Sequence, residues 1–196
     1  MSREAGWADA TPLGNITTGL VLMTLWPVLF GLVDTTAMVA VMPWALAAIP
    51  FVVLTSVVAI RNGEILPAVA NGILSGLTLC QNGIWGAVVV CYTAAGTPIP
   101  QMVTQAKGYV DGAAFLSAAF MLLWITVVFF RLKNWPMAAA MGVICLGFCC
   151  MGLSDLGLVN LRLPAAVCVV VFAAWMVYSG CAMLVHRALG SKLLPY

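Results

Sequence analysis

The sequence predicts an all-α, polytopic membrane protein, a bundle of six transmembrane helices. Three observations predict it. Of 196 residues, 64% are hydrophobic and only 7% are charged, whereas a soluble domain carries about 25% charged residues to cover its surface. Apolar runs of about twenty residues recur along the chain, the length that crosses a ~30 Å hydrocarbon core. The basic residues between those runs collect on alternate turns.

Taken in order, span 1 covers roughly 13–33 and ends near Asp34. Span 2 covers 37–60 and stops at Arg61-Asn62-Gly63-Glu64, a turn signal. Span 3 covers 65–92, long enough to tilt or to contain an irregular segment. A loop follows near 94–108. Span 4 covers 110–130 and ends at Arg131-Leu132-Lys133-Asn134. Span 5 covers 135–154, with Pro136 suited to the first helical turn. Span 6 covers 162–185, before His186-Arg187. The transmembrane domain is therefore 13–188, between a tail at 1–12 and a tail at 189–196. Pro27, Pro43, Pro50 and Pro67 fall inside spans, which requires neighbouring helices or polar side chains to satisfy the freed carbonyls.

Charge sets the orientation. Arg3, Arg61, Arg131, Lys133, Arg187 and Lys192 share one side, against Lys107 and Arg162 on the other. The positive-inside rule then places both termini in the cytoplasm, and an even number of spans agrees. The polar, mixed-charge start from Met1 to Pro12 is unlike a signal peptide. An inner, or plasma, membrane of a bacterium or archaeon is the expected location. No basic cluster points to nucleic acid. The seven cysteines lie in or beside apolar runs without a CxxC pair and read as small packing residues. Enzyme readings lack material: the single histidine, His186, follows span 6, and no paired carboxylates or phosphate loop occur. No cofactor or metal is expected.

Function has to come from neutral polar residues, because no ionisable side chain falls in the middle of a span. Asn71, Ser75, Thr78 and Asn82 follow helical i, i+4, i+7, i+11 spacing, and Gln81 adjoins them. Span 1 adds Asn15, Thr17 and Thr18. Such a stripe can replace the water around a small solute, or it can glue helices together. Gly72-xxx-Gly76 and Gly112-Ala113-Ala114 fit close helix packing within a protomer or between protomers. The expected partners are lipid, a small carboxylate or amide solute, and further copies of the chain.

Ala10-Thr11-Pro12-Leu13-Gly14-Asn15 at the start of span 1 resembles the Asn-Pro-Ala-Pro-Leu-Gly signature of the acetate uptake transporter family, which includes bacterial succinate–acetate permeases. The tail Leu189-Gly190-Ser191-Lys192-Leu193-Leu194-Pro195 and the turn Phe130-Arg131-Leu132-Lys133 are similar to that family's C-terminus and Leu-Lys turn. Asp155 falls near a family Asn. The resemblance implies a hexamer with one pore per protomer for acetate, succinate or related anions. It also implies a narrow point formed by Phe, Tyr and Leu. Here the Phe position falls on Thr18, the Leu position near Cys145, and the Tyr position on Asn71 or Gln81, while a family Gln in span 2 is replaced near Pro50. These smaller or more polar groups imply altered selectivity. A urea or amide channel and a non-transport scaffold subunit are the competing expectations.

Overall fold

A computed structural model describes residues 8–190. The chain is all-helical, and no strand occurs among the described residues. Its helices are α1 (Thr11–Thr24), α2 (Trp26–Leu29), α3 (Met38–Arg61), α4 (Ile65–Ile73), α5 (Gln81–Ala94), α6 (Gln101–Arg131), α7 (Trp135–Asp155) and α8 (Arg162–Leu189). A 3-10 turn at Thr35–Ala37 precedes α3, and a π-helical stretch, Leu74–Cys80, joins α4 to α5. Five helical segments are long and apolar enough to cross a bilayer: Met38–Arg61, Ile65–Ala94, Gln101–Arg131, Trp135–Asp155 and Arg162–Leu189. The protein is a multi-pass membrane protein.

Two boundaries differ from the sequence expectation. Span 1 is not one continuous helix. α1 ends at Thr24, and Pro27 opens the four-residue α2. Proline has no N–H to donate and clashes with the preceding turn, so it favours a helix start, as at Pro27, although α3 runs unbroken through Pro43 and Pro50. Span 4 begins at Gln101, so the expected loop at 94–108 is half helix. Pro100 is extended (φ −57°, ψ 136°) and starts α6. At about 1.5 Å per residue, the 31 residues of α6 exceed a ~30 Å core, and the Gln101–Ala106 turns are exposed.

The helix ends share one device. After α2, α3, α5, α6 and α7 the chain turns through a left-handed residue: Gly31, Gly63, Gly96, Lys133 and Gly157. At the end of α3, Glu64 N–H donates to the Ala59 carbonyl (2.8 Å) and Gly63 N–H to that of Ile60 (3.0 Å). Asn134 and Lys133 repeat the pattern on Phe129 and Phe130 (3.0 and 3.1 Å). These bonds satisfy carbonyls left over at a helix terminus. Glycine takes the conformation without steric cost, whereas Lys133 (φ 58°) takes it with a Cβ.

The helices form a ring, with α6 on α7, α7 on α8, α8 on α1, α1 on α3, and α3 on the α4–α5 unit, which returns to α6. Small residues let the axes approach. A Cβ on Gly112 of α6 would stand 3.0 Å from the Gly152 carbonyl of α7, and one on Gly152 would stand 2.9 Å from that of Gly112. Gly19 and Gly180 serve the α1–α8 contact in the same way. Gly112 is therefore a packing residue within the protomer. Gly72 and Gly76, by contrast, are exposed, and a Cβ on either would meet no neighbouring atom within 4 Å. The core runs through the ring centre, with Leu22, Leu122, Ile144, Phe148 and Phe172 essentially sealed from solvent.

Candidate functional site

One end of the ring holds a cavity of about 230 Å³. The segments around the ring contribute to it: Leu22 from α1, Leu29 from α2, Met38 from α3, Thr78 from the π stretch, Trp85 from α5, Phe115 from α6, Phe148 from α7 and Val169 from α8. Phe115 and Phe148 meet edge to face, ring centroids 5.2 Å apart, in the apolar part of its wall. Gln81, Asn82, Lys107, Asp111 and Asp155 make the wall polar on the other side. The cavity shares Trp85, Lys107, Asp111 and Asp155 with a wider vestibule of about 500 Å³, which adds Ser154 and Arg162. The vestibule lies among the 3-10 turn, the start of α6 and the α7–α8 turn.

The charged residues are positioned by local helix geometry. Lys107 and Asp111 are four apart on α6 and form an ion pair on one face. Gln81 Nε2 donates to Asp111 Oδ2 across the ring at 2.8 Å. Lys107 Nζ lies 4.9 Å from the centre of the Trp85 ring, so its charge rests between a carboxylate and an aromatic face. Asp155 closes α7 and Arg162 opens α8. Ser154 Oγ accepts from the Leu161 N–H at 2.8 Å, which fixes the turn between them. Within the π stretch, i→i+5 bonding replaces the usual ladder, and such wide turns recur at functional sites. There Thr78 is 6% exposed, and its Oγ1 has no hydrogen-bond partner.

The sequence-derived site residues separate into two groups. Thr78, Gln81 and Asn82 line the cavity. Asn82 Nδ2 donates to the Thr78 carbonyl of its own helix (2.5 Å). The others lie elsewhere. Asn15 Nδ2 donates to Ser179 Oγ (3.2 Å), and Ser179 Oγ donates to the Met176 carbonyl (3.2 Å), a polar bridge between α1 and α8. Thr18 is fully buried with an unpartnered Oγ1, one turn from Leu22 on the same face of α1. Thr17 faces an outward groove between α1 and α3 with Trp44 and Phe51. Asn71 is buried away from the cavity wall. Cys145 donates to the Ala119 carbonyl (3.2 Å) in the α6–α7 contact rather than facing the cavity. The side chain of Ser75 lies outside the described residues, as do Arg3, Glu4 and Lys192. Pro50 is exposed on the outside of α3.

Trp85, Lys107, Asp111, Asp155 and Arg162 were missed as site residues. The available signal was the opposite-charge i, i+4 spacing of Lys107 and Asp111 directly after Pro100, which marks a helix start rather than a loop. No protein-family model matches this chain, and none of the curated proteins matches it.

Proposed function

We propose that the chain is a membrane transport protein that carries a small carboxylate-bearing solute along the axis of its helical ring, one pathway per protomer. The observation that carries this reading is the central cavity, walled around the ring and reaching an unpartnered, buried Thr78 hydroxyl. A purely structural core closes such space, because empty volume forfeits packing contacts. Polar side chains along the wall replace the water that a solute leaves behind. Arg162 supplies positive charge where a carboxylate enters.

In this reading α1 and α2 together form a sixth crossing, about 28 Å long at ~1.5 Å per residue. The vestibule then faces outward. Arg61, Arg131, Lys133 and Arg187 face the cytoplasm with both termini, in an inner or plasma membrane. The protomers associate as a homo-oligomer, for which the exposed Gly72 and Gly76 supply a close-packing surface. The resemblance to acetate uptake transporters supports the anion class. A second reading, a channel for neutral amides, is favoured by the Gln81, Asn82 and Thr78 wall. Purified protein in liposomes should take up labelled small carboxylates above protein-free vesicles. Uptake indistinguishable from empty vesicles for every carboxylate tested would contradict the proposal.

A further inference from the structure

Two opposite charges at the mouth of the cavity are left without a bond of their own. Lys107 and Asp111 neutralise each other. Asp155 and Arg162 form no ion pair and no side-chain hydrogen bond among the described residues, yet both line the vestibule, where Asp155 lies in the field of Lys107 first, then of Asp111 and Arg162. Their helices reinforce them. Asp155 stands at the C-terminal, partly negative end of α7, and Arg162 at the N-terminal, partly positive end of α8. The site therefore presents a negative pole and a positive pole side by side, held by the Ser154–Leu161 bond. A simple anion would satisfy Arg162 and be repelled by Asp155, and a simple cation would meet the reverse. Below the two poles, Thr78 offers a free hydroxyl at 6% exposure.

We propose that this vestibule selects a small zwitterion, a short amino carboxylate whose ammonium pairs with Asp155 and whose carboxylate pairs with Arg162 before it descends past Gln81 and Asn82 to Thr78. This deepens the transport reading and rests on it. The cavity of about 230 Å³ exceeds the ~150 Å³ at which an apolar cavity takes up benzene, so a short amino carboxylate has room in it.

The test is uptake by the wild-type protein in liposomes of labelled glycine, β-alanine, acetate, methylamine and urea, at equal concentration and pH 7. Glycine or β-alanine should enter at least tenfold faster than acetate, methylamine or urea. Asp155→Asn and Arg162→Gln should each lower that uptake at least tenfold, with thermal unfolding in detergent confirming that the variants are folded. Acetate, methylamine or urea entering as fast as the amino carboxylates would overturn this inference and leave transport standing. An amino-carboxylate preference that survives in both folded variants would overturn the assignment to Asp155 and Arg162. No uptake of any probe would overturn the transport reading itself.

Discussion

At the vestibule end of the ring, Gln81 bonds Asp111 across open space, Thr78 keeps its hydroxyl free, and Asp155 and Arg162 remain unpaired beside a cavity. At the other end, Asn15 is tied to Ser179, Thr55 donates to the Phe51 carbonyl (2.9 Å), and buried Thr18 and Asn71 line neither the central cavity nor the vestibule. Both halves carry polar side chains but use them differently. One half keeps hydrogen-bonding capacity in reserve for a guest. The other consumes most of it in joining helices, where close approach at Gly19 and Gly180 leaves no room. Polarity inside a membrane bundle therefore does not mark a pathway by itself. Polarity beside unfilled volume does.

The largest expected effect comes from emptying the apolar wall of the cavity. Phe148→Ala deletes a ring that is 1% exposed and should cost about 3–5 kcal/mol of stability. It should also raise passive leak through the ring. Denaturation in detergent and vesicle efflux would measure the two consequences. Next, Thr78→Val keeps the shape and removes the free hydroxyl. It should reduce uptake about tenfold, as loss of one solute hydrogen bond worth ~1.4 kcal/mol implies, while stability stays level or rises. Equal uptake by Thr78→Val would remove Thr78 from the pathway.

A smaller effect is expected in the closed half. Thr18 Oγ1 is buried without a partner, so Thr18→Val should stabilise the protein by roughly 1 kcal/mol. Loss of stability would mean that the hydroxyl is satisfied. The smallest effect lies at the end of the ring that carries the start of α1 and the end of α8, where Arg187 pairs with Asp9. Burial pushes the Asp9 carboxyl up, but hydrogen bonds from Thr11 and the charge of Arg187 outweigh it and hold it below the usual 3.8. This contribution is present above the unfolded value and is lost as pH falls through the lower folded one. Arg187→Ala should flatten that acid limb, seen in unfolding as pH is lowered from about 5 through 3.8 and below, and cost no more than ~1 kcal/mol at neutral pH.

Much of the fold was legible because lipid imposes simple rules. Spans at Met38–Arg61, Trp135–Asp155 and Arg162–Leu189 follow from apolar length and from Asn62-Gly63, Asn134-Pro136 and Gly157 at their ends. The break at Leu25 was hidden, because a proline in an apolar run reads equally as a kink or as a fresh helix start. The π stretch was also hidden. It shifts the helical phase between Asn71 and Asn82, so a stripe drawn at constant spacing joins residues that separate in space. Thr78, Gln81 and Asn82 were legible as cavity residues, since polar groups in span 3 needed a reason to be there. The Lys107–Asp111 pair was not, because treating 94–108 as loop took Lys107 off the helix that carries Asp111.

Site-resolved thiol accessibility tests the contrast most directly. Asn82→Cys and Thr18→Cys, placed one at a time in protein held in lipid nanodiscs, would be exposed to a small water-soluble thiol reagent and read by mass spectrometry. Asn82→Cys should react at least tenfold faster than Thr18→Cys, since water reaches one position and not the other. Equal rates, or faster reaction at Thr18→Cys, would contradict an open vestibule half beside a closed half.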